Sequence, residues 1–291
     1  MLTSHSEYGT LQKLFIKKAS DAFHSQDVLD QQWEELNYLS RPSFSEAIKE
    51  YDHFQSLLSQ TGSDIEYFES TESVSIDSIY CRDASITTDF GVILCNMGKE
   101  KRKSEPSFCR GKYENLGVKI LGEISGNGKV EGGDVAWIDH KTLAVGHGYR
   151  TNDEGYSQLK NLLDPHGIEL IQVDLPHYKG VNDVFHLMSI FSPIDVDKAV
   201  VYSPLMPVRF REELIRRNFQ LIEVPDEEFE SMGCNVLALG PSKCLIVKGN
   251  SITVERMKEA GCDVIEYEGR EISIKGGGGP TCLTRPILRE I

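Results

Sequence analysis

DVAWIDHKTLAVGHG, residues 134 to 148, holds two short apolar runs of strand composition on either side of a polar Asp-His-Lys turn. Downstream come a helix-like stretch from Glu154 to Leu163 and a further strand-like run, IELIQV. Together they read as one ββαβ unit. The order recurs from Asp197, as KAVVYSPL, the helix-like FREELIRR at Phe210 to Arg217, and FQLIEV. It recurs again from Cys234, as NVLALG, CLIVKG, TVERMKEAG and DVIEYE. Two less regular copies lie upstream. One joins LQKLFIKKA at Leu11 to SEAIKEYDHFQSLLSQTG and DIEYFE; the other joins SIYCRDASITT and GVILCNM to a helix over 104–117 and VKILGEI. Units at this spacing predict an array in which each borrows its neighbour's core, and a closed ring finishes such an array. The competing assignment is a doubly wound α/β sheet. Against it stand the paired short strands before each helix and the lack of a glycine-rich nucleotide loop after the first strand.

The chain has 291 residues, of which 40% are apolar and 26% charged, which fits an ordered globular protein. Its 45 acidic against 31 basic residues give a net charge of -14, repelling phosphate backbones and anionic membranes. Neither nucleic acid nor a membrane is therefore an expected partner. The same acidic field draws cations and also serves solubility. Seven cysteines, at 81, 95, 109, 234, 244, 262 and 282, form no CxxC pair and no zinc-type cluster with histidine, and read as reduced. The first residues lack a basic segment followed by an apolar stretch, and no run of about 18 apolar residues occurs. A soluble, cytoplasmic protein is expected.

The most informative stretch for chemistry is GGGGPTCLTRP, with four glycines before Cys282 at the start of an expected final strand. Glycines allow close approach of backbone to a ligand, although the same run could be a turn ahead of a buried thiol. His186 lies in the apolar DVFHLMSIF, where a histidine is more often a core residue than a base. Glu131, in VEGGDVAWI, could simply shape a turn. Singly, each signal is weak.

Together they form a pattern. EGGD at 131 to 134, GYRTN at 148 to 152, HLMS at 186 to 189, YCRD at 80 to 83 and GGGGPTC at 276 to 282 resemble, in order and separation, the guanidino-modifying penteins. That superfamily includes arginine deiminase, dimethylarginine dimethylaminohydrolase and the amidinotransferases, and the resemblance runs from about Glu7 to Pro286. It implies an α/β fold, a five-bladed propeller occupying the whole chain, 1–291, as a single domain with a polar helical insert at about 20–42. It also implies roles: Cys282 as nucleophile, His186 as general acid/base, and Glu131 orienting that histidine. Arg150 would hold the substrate α-carboxylate, Asp83 the guanidinium and Asp77 the α-amino group. Arg102 and Lys103, in KEKRKSEP, lie where relatives place an arginine near the carboxylate, with the register open. No cofactor and no metal are implied, and a homodimer is compatible with an exposed propeller edge.

The implied substrate is a small guanidino cation, arginine or methylarginine. Arginine deiminases carry HLD where this chain has HLM, so Met188 replaces a carboxylate that would grip the guanidinium, and HLMS is closer to the HLKS of dimethylarginine hydrolases. Chain length points the same way. Arg82 departs from it, preceding Asp83 as in arginine deiminases. The expectation is hydrolysis of Nω-methylated arginine to citrulline and an amine through a covalent thiouronium. The alternatives are an arginine deiminase, arginine dihydrolase or amidinotransferase, and, from a different class, a non-catalytic binding module like the pentein ribosome anti-association factor. The insert from Ser20 to Arg41 is read as a surface embellishment before a lid.

Overall fold

The computed structural model describes residues 1–183 and 185–291. Its elements run β1 (Leu2–Thr3), β2 (Thr10–Ile16), α1 (Ala19–Phe23), α2 (Gln26–Gln32), α3 (Phe44–Ser59) and β3 (Asp64–Tyr67). There follow β4 (Ser85–Thr88), β5 (Gly91–Leu94), α4 (Glu105–Asn115) and β6 (Ile120–Glu123). The middle holds β7 (Val135–Asp139), β8 (Thr142–His147), α5 (Asp153–Leu163) and β9 (Glu169–Asp174), then β10 (Phe191–Asp195), β11 (Lys198–Val201), α6 (Val208–Arg216) and β12 (Gln220–Glu223). After α7 (Asp226–Phe229) come β13 (Leu237–Gly240), β14 (Lys243–Val247), α8 (Ser251–Glu259), β15 (Asp263–Tyr267) and β16 (Thr284–Glu290).

Among the described residues these strands form five small sheets, β4-β5-β6, β7-β8-β9, β10-β11-β12, β13-β14-β15 and β1-β16-β2-β3. Each has one construction: an antiparallel pair, then a helix that returns the chain to a parallel partner. A parallel return needs such a crossover, whereas the antiparallel pair needs only a tight turn. First strands of neighbouring sheets touch, β7 with β10 and β10 with β13, and β13 then meets β2, the strand between β16 and β3 in the remaining sheet. Helix α5 starts where Asn152 accepts a hydrogen bond from the Gly155 N–H at 2.9 Å, capping one otherwise unpaired donor.

Two expected units take their first strand from outside the stretch that the sequence pattern marks. The unit read from Asp197 opens with β10, whose FSPID is buried over its first four residues, so it shows no alternation, and it contains a proline. The unit read from Leu11 takes its antiparallel partner from the other end of the chain, with Thr284 opposite Ile16 and Glu290 opposite Thr10.

The 20–42 insert is more than a surface embellishment. It folds into α1 and α2, and it buries Phe23, Leu29, Leu36 and Tyr38 in the cluster that contains Leu14, Tyr80 and Leu283. Among the described residues no helix is long and apolar enough to cross a membrane.

Candidate functional site

Glu131 precedes a tight turn, Gly132–Asp134, that feeds β7, while His186 precedes a second, Leu187–Ser189, that feeds β10. Because β7 and β10 are neighbours, the two turns meet. His186 Nε2 lies 2.7 Å from Glu131 Oε2, and both side chains are buried. The other carboxylate oxygen, Oε1, accepts from the Gly98 and Lys99 backbone N–H groups at 2.8 and 3.1 Å, and Arg150 Nη1 stands 3.4 Å from Oε2.

Burial works against charge on Glu131, but the His186 hydrogen bond and the Arg150 guanidinium hold its carboxyl well below the usual range. Burial also opposes charge on His186; the carboxylates of Asp134 and Asp83 and the bond to Glu131 outweigh it and raise the imidazole to about 9. At neutral pH the pair is therefore carboxylate and imidazolium. Asp134 also anchors the turns: its Oδ1 accepts from the Leu187 N–H at 3.1 Å and its Oδ2 from the Thr151 hydroxyl at 2.7 Å.

Gly133 explains the EGGD motif. A Cβ there would lie 2.5 Å from His186 Nδ1 and 2.8 Å from Asp83 Oδ1, so a side chain would push both groups away. Asp83, in the turn before β4, accepts at Oδ2 a hydrogen bond from Arg102 Nη1 at 2.6 Å. Its Oδ1 is buried and has no hydrogen-bond partner among the described residues. A buried carboxylate oxygen without a donor is costly, and beside an imidazolium it is a ready acceptor for a substrate N–H.

Cys282 comes from the turn before β16 and is half-buried. Asn235 Nδ2 reaches its sulfur at 3.4 Å, and Asn235 Oδ1 accepts from the Thr281 hydroxyl at 2.7 Å. Burial, followed by the Asp83 carboxylate, raises the thiol above its ordinary pKa, although Thr281 and Asn235 pull the other way. The glycine run is dictated by Tyr80. A Cβ at Gly278 would come within 2.4 Å of its ring, and Gly277 has φ +75°, in the left-handed region.

Cys282 and His186 line the same two cavities. The larger, about 290 Å³, adds Met188, Phe185, Phe229 and Met232 on its apolar side and Asn37 and Leu39 from the insert. The smaller, about 10 Å³, is polar: Asp77, Asp83, Lys99, Arg102 and Arg150 surround it. All six candidate residues thus reach one region. Asp77 and Asp83 are already engaged, however, Asp77 Oδ2 by Lys99 Nζ at 2.6 Å and Asp83 by Arg102.

The sequence does not single out Lys99 or Asn235, and it leaves the register of Arg102 open. For Arg102 the signal was the KEKRKSEP run, in which three neighbouring cations compete for one role. Asp83, Glu131 and His186 each place one donor atom within 4.8 Å of the others, a chemically competent set for a divalent ion. Here two of these donors bond each other and the third bonds Arg102, so the set already meets cations of the protein.

A family model described as N,N dimethylarginine dimethylhydrolase, eukaryotic, matches residues 20–289, and the chain belongs to that family. It is a hydrolase acting on C–N bonds of linear amidines, within the pentein superfamily. The chain is 24% identical over 249 residues to the N(G),N(G)-dimethylarginine dimethylaminohydrolase of Pseudomonas aeruginosa, covering 85% of this chain and 91% of that protein. Two solved structures share the fold. A cysteine-to-serine mutant of dimethylarginine dimethylaminohydrolase from Pseudomonas aeruginosa, complexed with citrulline, superposes with a TM-score of 0.75 at 20% identity, covering 95% of this chain and 99% of that one. The N-terminal domain of ArgZ, an arginine dihydrolase from cyanobacteria bound to its product, gives a TM-score of 0.79 at 18% identity, with coverage of 94% and 96%.

Proposed function

We propose that the chain hydrolyses Nω-methylated L-arginine to citrulline and a methylamine, with Cys282 as nucleophile. The observation that carries this reading is the unpartnered, buried Asp83 Oδ1 beside the Glu131–His186 pair, in a cavity that Cys282 shares. A guanidinium entering there gives Asp83 its missing donor and brings its carbon to the sulfur. We also take the five sheets to be the blades of one closed propeller, a single domain over 1–291, with β16 sealing the first blade to the last residues.

In the resting site the thiol is protonated and the imidazole charged. The substrate cation lowers the cost of the thiolate by charge proximity, so the Cys282 thiol releases its proton to solvent water as substrate binds, His186 being already protonated. Sulfur attacks the guanidinium carbon, the carbon–nitrogen bond to the leaving amine breaks, and His186 delivers the proton that the amine takes away. The neutral imidazole then accepts a proton from water as the water attacks the thiouronium, and the sulfur leaves. Glu131 keeps the imidazole oriented through both steps and favours the charged form that begins and ends the cycle. Arg102, Lys99 and Arg150 suit a substrate α-carboxylate, while Asp77, shared with Lys99, suits the α-amino group.

Met188 and its apolar neighbours favour a methylated guanidine over a free one. Arg82 does not count against this, because its side chain turns away from the site to pair with Glu7 at 2.8 Å. The similarity to the ArgZ domain keeps an arginine dihydrolase as the second reading. Incubation with monomethylarginine, asymmetric dimethylarginine and arginine separates them. Methylamine or dimethylamine with citrulline supports the first reading, and ammonia from arginine alone with no methylamines defeats it. All proposed site residues come from one copy of the chain, so activity at dilutions where any dimer dissociates is expected.

A further inference from the structure

Arg82, Arg285 and Arg289 line a separate small cavity of about 10 Å³, together with Glu7, Thr87 and Trp137. All three arginines are at least 97% buried, with relative exposures of 1%, 3% and 1%. Glu7 is the carboxylate that meets them: its Oε1 accepts from Arg82 Nη2 at 2.8 Å and from the Trp137 N–H at 3.3 Å. Arg285 Nη1 donates to the Ser85 carbonyl at 2.9 Å, and Arg289 Nη1 to the Gly9 and Ala238 carbonyls at 2.5 and 2.8 Å. Four N–H-bearing atoms are left buried without a partner among the described residues: Arg82 Nε, Arg285 Nε, and Nε and Nη2 of Arg289.

Three guanidinium groups thus face one carboxylate, leaving two positive charges uncompensated in a buried site. Deprotonation does not relieve this. Burial lowers Arg285 to about 10 and Arg289 to about 9, with Arg82 repelling both, and each stays charged at neutral pH. Water could satisfy the N–H groups but not the charge, and an uncompensated buried ion costs several kcal/mol. We infer that this cavity binds one small monovalent anion, chloride, held by Arg82, Arg285 and Arg289. A cavity of this volume admits a single water-sized particle, which suits a halide and excludes sulfate or phosphate. The site is not remote from the chemistry, since the Arg82 N–H donates to the Cys282 carbonyl at 3.2 Å.

The full chain, exchanged into sodium gluconate, is titrated with sodium chloride at constant ionic strength while Tm is followed. A saturating rise of about 2–4 °C is expected, as for an anion that binds only the folded chain. Crystals grown in sodium bromide should show an anomalous peak in contact with the Arg285 and Arg289 nitrogens. Arg289→Met should abolish the Tm response; if that variant does not fold, the bromide peak and the wild-type titration decide. A cavity without anomalous signal overturns the inference. So does a peak accompanied by identical Tm in chloride and gluconate, which would mark an adventitious ion only.

Discussion

Replacing Glu131 with Gln keeps the shape of the side chain and removes its charge, so it isolates what the carboxylate does for His186. The rise of the imidazole from 6.5 to about 9 corresponds to about 3 kcal/mol in favour of its charged form. That figure is a net one: burial opposes it, and Asp134, Asp83 and Glu131 together overcome burial. Without Glu131 the opposing burial is unchanged and the bonded partner at 2.7 Å is neutral. The imidazole must then fall by one unit or more, and each unit is a tenfold loss of imidazolium once the pKa lies below the working pH. In the wild type, citrulline formation should hold up to pH 8 and fall through about 9 as the proton is lost. In Glu131→Gln the descending limb should move at least one unit toward neutrality, and kcat at pH 8 should fall about 2-fold for a one-unit shift and about 30-fold if the imidazole returns to 6.5. Rates from pH 6 to 10 provide the assay, and the His186 ring proton shift in NMR reports the same titration without turnover. A variant whose rate profile and ring titration both stay at the wild-type midpoint would refute the reasoning.

Cys282→Ser should lower turnover at least ~10³-fold, because the hydroxyl is a far weaker nucleophile, while Tm stays within a few degrees. Wild-type rates in that variant would remove the covalent mechanism. Gly133→Ala places a carbon 2.5 Å from His186 Nδ1, so kcat should fall about 10²-fold and thermal denaturation should show about 1–3 kcal/mol of destabilisation. An unchanged rate would mean that His186 and Asp83 need not sit where they are. Met188→Asp offers a carboxylate to an unmethylated nitrogen, and the ratio of kcat/KM for methylarginine to that for arginine should drop tenfold or more, measured by product analysis. A ratio that does not move would show that Met188 does not face the leaving nitrogen.

The parts of the site legible in the sequence are those whose backbone demands leave a local mark. Gly133, Gly276, Gly278 and Gly279 are glycines because a Cβ would strike His186, Tyr80 or Asn235, Gly277 because its φ is +75°, and a glycine beside an acid or a cysteine shows in a linear string. The partners that engage these residues left no such mark. Lys99 on Asp77 and Arg102 on Asp83 are pairings across 22 and 19 residues, drawn from a charged run in which any cation would read alike. Asn235 is one polar residue at the head of an apolar run, and only the fold brings it to Cys282, 47 positions away. Strand β10 was overlooked because period-two alternation disappears when both faces are covered. The insert was read as surface because its charges are visible and its contacts are not; Leu29 and Leu36 are buried by pieces of chain far from them.

Arg82 and Asp83 are adjacent, and their side chains serve different surroundings. Asp83 bonds Arg102 and lies beside the Glu131–His186 pair, whereas Arg82 reaches Glu7 near the start of the chain. Their backbones do a third thing: the Arg82 N–H donates to the Cys282 carbonyl at 3.2 Å, and the Asp83 carbonyl accepts from the Gly132 N–H at 2.8 Å. A dipeptide therefore ties the loop of Cys282 to the loop of Glu131, with the Asp83 carboxylate between them. Gly132 shows how close this contact is, since a Cβ there would lie 2.2 Å from the Arg82 carbonyl oxygen. Main-chain hydrogen bonds thus help to hold the Cys282 loop and the Glu131 loop in place relative to each other, and with them the geometry that the proposed mechanism needs. Side-chain changes at 82 can alter charge there without moving the bonds, whereas a side chain at 132 must break them.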